Sequence, residues 1–294
     1  MSRRARVWTA LWAVYVIWGS TYLFIAIAGE TIDPLAAVST RFVAAGLIMA
    51  AIVARRGGTM RVTRRELASC VLIGALLPGA NAVLFFAERD TPTGLASLLI
   101  ASVPLMVVLL RLWVGERFRP RRLAGVAVGF AGVVVLVRPG GGATTGGIVL
   151  CLVSALMWSV GSVAAARLPM PRDTFAATAW EMLAGGVLLL PWGLASAGGL
   201  SPSLGSSLAW LYLVTFGSVV GFTAYSWLLA HAPLATVSTY AYVNPVIAIL
   251  LGVLFRGEHL SLQILVGAAV VVVAVAVVVR QEPPAATAPE EGVR

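Results

Sequence analysis

The sequence predicts an all-α membrane protein of ten transmembrane helices, arranged as two inverted repeats of five. Three observations lead there. Of the 294 residues, 60% are hydrophobic and 11% charged, with a mean hydropathy of +0.94, whereas an ordinary soluble domain carries about 25% charge. The apolar residues fall in runs of about 20, the length that crosses a hydrocarbon core about 30 Å thick as a helix. The chain also superposes on itself when shifted by about 140 residues.

The first run, 8–28, follows Arg3, Arg4 and Arg6 and so resembles a secretory signal. It is too long and lacks a fitting small-residue cleavage site, so it is expected to remain as the first span. Further runs lie at 34–54, 66–86, 92–112, 121–138, 147–166, 174–195, 207–229, 235–255 and 261–279. Turn chemistry separates them: Asp33-Pro34, Thr91-Pro92, the glycines Gly140 to Gly142, Pro169 and Pro171, Ser201-Pro202, and Ala232-Pro233. The expected organisation is a first repeat over 1–139, a second over 147–280, and a disordered cytoplasmic tail, 281–294, rich in Pro, Ala and Glu.

The net charge of +9 and pI near 10.7 do not indicate nucleic acid, because the basic residues sit between apolar runs and form no continuous surface. All 21 are arginine. With the N-terminus inside, the inner loops and tails hold Arg3, Arg4, Arg6, Arg55, Arg56, Arg61, Arg64, Arg65, Arg111, Arg117, Arg119, Arg121, Arg122, Arg167, Arg172, Arg280 and Arg294. The outer side receives Arg89, Arg138 and Arg256, and Arg41 falls within a span. Positive charge collects on the cytoplasmic side, so both termini are expected there. Cys70 and Cys151 lie in separate apolar runs without CxxC spacing, which supports neither a disulfide nor a metal site.

The repeat is specific at several positions. A shift of 140 places Trp18 on Trp158, Asp33 on Asp173, Arg41 on Glu181 and Gly46 on Gly186. A shift of 141 aligns Pro92 with Pro233 and Pro104 with Pro245, and a shift of 142 aligns Gly115-Glu116 with Gly257-Glu258. Each copy holds an odd number of spans, so the second enters the membrane from the opposite face. Such inverted repeats are one way to build alternating access around a site near the midplane.

The candidate site follows from polar and aromatic residues deep in the spans. Arg41 and Glu181 are the ionisable groups at depth, each eight residues or about 12 Å beyond a loop aspartate. A charge at midspan needs a partner or a wet cavity. Two readings are open: an ion pair locking the halves together, or separate attraction of a carboxylate by Arg41 and of an amine or proton by Glu181. Trp18 and Trp158 lie midspan, with Tyr15, Trp18 and Tyr22 on one helical face and Ser154, Trp158 and Ser162 on another. These stripes suit either packing or a cavity wall. By contrast Trp8, Trp12, Trp113, Trp192 and Trp210 fit an interfacial belt.

Pro104 and Pro245 are expected to kink the fourth and ninth spans. Asn81, Ser102, Tyr225, Tyr240 and Asn244 complete the candidate substrate-binding set, although Asn81 and Tyr225 could instead bond a neighbouring helix. Gly125, Gly129 and Gly132 give the fifth span a GxxxG-type face for close packing, for lipid, or for a homodimer seam. His231 and His259 fall near opposite membrane surfaces. With no His, Cys or paired carboxylates gathered within the spans, neither an enzyme, a cofactor nor a metal is expected.

Ile17-Trp18-Gly19-Ser20-Thr21, Arg41-Phe42, Ala241-Tyr242-Val243-Asn244-Pro245 and the closing Gly-Glu of each repeat together resemble the EamA family of the drug/metabolite transporter superfamily, in particular its YedA-like exporters. The likeness spans roughly residues 10 to 280. It implies ten helices, a central cavity between two five-helix halves, and export of small metabolites or xenobiotics from the bacterial cytoplasm. Combined with the residues above, the expected cargo is a small amphipathic solute: an amino acid, or an aromatic or cationic compound. The expected partners are that solute and membrane lipid. The alternatives are a membrane-embedded scaffold or receptor without transport, and an uptake permease of the same fold.

Overall fold

A computed structural model of the protein describes residues 2–117, 120–136, 142–196, 201–232, 234–237 and 239–280. Arg119, Arg138, Gly140, Pro233 and the tail 281–294 lie outside the described residues. The chain runs through α1 (Arg3–Ala28), α2 (Pro34–Arg55), α3 (Arg64–Ala87), α4 (Thr93–Ile100), α5 (Val103–Trp113), α6 (Pro120–Leu136), α7 (Thr145–Ala165), α8 (Thr174–Ser196), α9 (Leu204–Tyr212), a π-helical segment (Leu213–Val220), α10 (Gly221–His231), α11 (Leu234–Val237), α12 (Tyr240–Arg256) and α13 (Leu262–Arg280). No strand occurs among the described residues. Eight helical runs there are long and apolar enough to cross a membrane, and Leu123–Leu136 and Tyr240–Arg256 are shorter apolar helices.

The helix starts follow from side chains that satisfy the free backbone N–H groups of a first turn. The carboxylates of Asp33 and Asp173, equivalent in the repeat, accept from Leu35 and Phe175 N–H, each at 2.9 Å. Thr63 and Glu66 form a reciprocal capping box at the head of α3. Thr63→Ala is therefore expected to lower stability by about 1 kcal/mol, measured by thermal unfolding in detergent. The closing glycine of each repeat has a backbone reason: Gly115 and Gly257 sit at φ 92° and 63°, in the left-handed region.

Three spans depart from regular helix. The fourth breaks at Ala101 and Ser102, so that Pro104 occupies the first turn of α5, where its missing N–H costs nothing. The ninth is interrupted at the turn residue Thr239, ahead of α12, and Pro245 stays inside α12; the interruption precedes the proline that was expected to cause it. The eighth contains the π-helical segment, which no proline or glycine pattern announced.

Close backbone approach organises the interior. α2 lies along α8, and a Cβ at Gly46 would fall 2.7 Å from Leu183 Cγ while one at Gly186 would fall 2.6 Å from Val43 N. As one number falls the other rises, so these two helices run antiparallel. α6 and α13 do the same: Gly125 faces Val278, Gly129 faces Ala274, Gly132 faces Val271 and Gly267 faces Leu136. The GxxxG-type face of α6 is thus filled by α13 of the same chain, which takes it away from a homodimer seam. Trp8, Trp12, Trp113 and Trp192 are exposed near helix ends, as a belt requires. Trp210 is not part of it: its indole N–H donates to Ala37 O and Thr40 Oγ1, both at 3.1 Å, tying α9 to α2.

Candidate functional site

A cavity of about 130 Å³ opens among α1, α2, α3, α4, α5, α7, the π-helical segment, α10 and α12. Seven of the ten candidate substrate-binding residues line it: Trp18, Tyr22, Arg41, Asn81, Trp158, Tyr240 and Asn244. Three do not. Ser102 is fully buried at the break between α4 and α5, where its hydroxyl donates to Leu99 O at 2.6 Å. Tyr225 stands behind the wall, its ring 5.1 Å from that of Trp18. Glu181 lies at the crossing of α3 and α8, its carbonyl facing Gly74.

Of the two readings left open for Arg41 and Glu181, the ion pair is not formed: no carboxylate lies within 4.0 Å of Arg41 among the described residues. Arg41 is 3% exposed. Its Nε donates to Ser218 Oγ at 3.0 Å, and its guanidinium carbon is 5.0 Å from the centre of the Phe42 ring. Nη1 has no hydrogen-bond partner. A guanidinium carries five donors in a fixed fork, and leaving one buried and unpaired is costly. Here the unpaired nitrogen belongs to a residue of the cavity wall.

The π-helical segment makes this arrangement possible. Its extra residue per turn breaks the regular period and brings Gly217 and Ser218 against the guanidinium. A Cβ at Gly217 would stand 3.3 Å from Arg41 Nη2, and one at Gly221 would stand 2.5 Å from Trp18 Nε1. These glycines leave room for the two large side chains. The Trp18 indole N–H in turn donates to Gly217 O at 3.3 Å. Gly217, Ser218 and Phe222 were missed from the sequence, because a 3.6-residue period sets Gly217 on a different face from Ser218 and Phe222.

The rest of the wall is aromatic and amide. Trp18 meets Phe222 at 5.4 Å and Tyr240 at 5.2 Å, both edge to face, a geometry that rigidifies the rings through their quadrupoles. Asn244 is 8% exposed and its Oδ1 has no partner. Asn81 Nδ2 donates to Leu77 O at 3.1 Å, one turn back along α3. Ser154 is spent on packing, donating to Ala80 O at 2.8 Å. Arg41, with an unpaired nitrogen, and Asn244, with an unpaired amide oxygen, are therefore both residues of the cavity wall, among aromatic side chains. No three His, Cys, Asp or Glu side chains group as metal ligands among the described residues.

Comparison with known proteins agrees with this architecture. The model of the EamA-like transporter family matches twice, over residues 7–138 and 145–280. The chain is 38% identical over 259 residues to an uncharacterized inner membrane transporter, YedA, of Escherichia coli K12, covering 86% of this chain and 83% of that protein. It is 30% identical to a probable terminal-alkyne amino-acid exporter of Streptantibioticus cattleyicolor, covering 89% and 90% of the two chains. A crystal structure shares the fold with a TM-score of 0.67 and 24% identity, over 94% of this chain and 98% of that one. The chain belongs to the EamA-like transporter family and is a multi-pass inner-membrane protein of the transporter class.

Proposed function

We propose that the protein exports small amphipathic metabolites, foremost amino acids with apolar side chains, by alternating access between two inverted five-helix repeats, 1–139 and 147–280. Ten spans arise when α4 with α5, α9 through α10, and α11 with α12 each count as one. Support for inversion comes from the two antiparallel pairs, α2 with α8 and α6 with α13, since each pair joins equivalent helices of the two copies. The arginine asymmetry supports cytoplasmic termini. Export accords with the naming of the Streptantibioticus relative as a probable amino-acid exporter.

The observation that carries the substrate reading is the unpaired Arg41 Nη1 in the cavity wall. A carboxylate supplies its missing acceptor, and a charge-assisted bond of this kind is worth about 1.5–3 kcal/mol. Asn244 Oδ1 accepts from an ammonium group, and Trp18, Trp158 and Tyr240 take the apolar part. A purely cationic solute would instead face Arg41 with no carboxylate beside it.

Uptake of labelled L-phenylalanine into inside-out vesicles tests the reading. Unlabelled phenylalanine should compete, 3-phenylpropionate should compete more weakly, and phenethylamine should be weaker than phenylalanine by about tenfold or more, the equivalent of a lost carboxylate bond. Competition by phenethylamine but not by 3-phenylpropionate would overturn it.

A further inference from the structure

Glu88 caps the end of α3 and has no part in the cavity described above. It is 8% exposed, and neither carboxylate oxygen has a hydrogen-bond partner. Its backbone N–H donates to the carbonyl of Leu84, one turn back along α3, and Leu84 lines the cavity. Glu88 therefore lies beyond the cavity at one end of the bundle, which the arginine asymmetry makes the outer end.

Among the described residues no cation or donor bonds this carboxyl directly. Tyr22 of α1 and Cys151 of α7 are near enough to feel its charge, and Glu258 and Arg256 act on it from the turn between α12 and α13. Arg256 is taken up by an ion pair with Glu30 of the α1–α2 turn. Arg89, next along the chain, pairs with Asp33 at 3.5 Å. Glu258 accepts from the N–H groups of Thr93 and Gly94 at 2.6 and 2.9 Å, capping α4.

The two neighbouring glutamates thus have opposite environments. Glu258 is bonded to the N–H groups of a helix N-terminus, whereas burial, and then the charge of Glu258, raise the Glu88 carboxyl well above the usual range, with Arg256 opposing them in part. The two neighbours whose charges act on Glu88 also join the two repeats: Glu258 bonds α4, and Arg256 pairs with Glu30.

We propose that Glu88 is a proton-binding site whose occupancy is linked to closure of the outer end of the cavity; the link rests on the alternating-access reading above. Closing takes one proton from the outer water onto a Glu88 oxygen. Opening separates Glu258 from α4 and Arg256 from Glu30, water reaches Glu88, and the proton returns to that water. The carboxylate left behind is then hydrated and near a freed Arg256. Because the closed state holds its proton more tightly, the ratio of closed to open falls as pH rises. It falls by up to about tenfold per unit between the ordinary carboxylate value and the raised value of Glu88.

Cys151, fully buried beside Glu88, serves as a native reporter. In a Cys70→Ala background in lipid nanodiscs, maleimide labelling of Cys151 is followed from about pH 5 to about pH 8, a range above the ordinary carboxylate value. In Glu88→Gln the amide stands in for the protonated acid, so the rate follows thiol chemistry alone. With Glu88 present, the rate relative to Glu88→Gln should climb with pH, by up to about tenfold per unit.

A constant ratio across the range would overturn the proposal even if phenylalanine is transported. A climbing ratio without phenylalanine transport would uphold the proton site and remove only the substrate reading. An infrared difference spectrum of the wild type keeps the proposal testable if the variant does not fold. A carboxylic-acid carbonyl band that titrates above the ordinary carboxylate range supports it, and the lack of such a band refutes it.

Discussion

Gly185→Val should leave little folded protein in detergent, with a stability loss of about 3 kcal/mol or more, the upper end of overpacking costs. A Cβ at Gly185 would stand 2.5 Å from Pro78 Cβ and Cγ, and it would meet the carbonyl of Gly74 as well. From the other side, a Cβ at Gly74 would stand 2.5 Å from Glu181 O and 2.8 Å from Gly185 N. The opposing atoms are backbone and a proline ring, so no side-chain rotation relieves the clash. The next residue, Gly186, meets α2 in the same way, through Val43 N at 2.6 Å. One glycine pair on α8 therefore sets its distance to both α2 and α3, and with it the position of Arg41. Gly205→Val is the control, because a Cβ there would meet only Ser203 Oγ, at 3.8 Å; its melting temperature should match the wild type. Equal melting of both variants would show that α3 and α8 can move apart without loss.

Much of this fold could be read from the sequence because lipid imposes a length and an apolarity on each span, and because the duplication marked equivalent positions twice. Relative depth across the two copies could not be read the same way, and Arg41 with Glu181 shows why. Both lie eight residues beyond a loop aspartate, which suggested a common depth. In the antiparallel register of α2 and α8, however, Val43 faces Gly186 and Gly46 faces Leu183, which sets Arg41 level with Leu188 and Glu181 level with Ile48. The two charges are seven residues apart along the axis, or about 10 Å. The aromatic and amide positions on α1, α3, α7 and α12 were legible because polar or bulky groups at midspan are rare. Ser218 was not, since its approach to Arg41 depends on the π-helical register. Ser102 misled for the opposite reason: a hydroxyl at a helix break bonds its own backbone.

Arg41→Met should abolish phenylalanine uptake while leaving the protein as stable as the wild type or more so. These two outcomes together separate a ligand-binding arginine from a structural one. If the guanidinium held the halves together, its removal would strand a buried partner, at a cost of about 3–5 kcal/mol for a broken buried pair. No carboxylate contacts Arg41 among the described residues, and the bond lost is one to Ser218 Oγ. Methionine removes a buried charge with an unpaired nitrogen and fills a similar volume, which favours the folded state. For transport the balance reverses. The solute carboxylate would enter the cavity without its donor, and truncating one side of a buried charged pair costs about 2–5 kcal/mol, or roughly thirtyfold or more in uptake at low substrate. Arg41→Lys keeps the charge but loses the planar fork that holds Ser218 with Nε while presenting Nη1 to a ligand, so its uptake should fall between the two. A large drop in melting temperature with Arg41→Met, accompanied by normal uptake per folded molecule, would instead make Arg41 a structural residue and leave the cavity without its carboxylate partner.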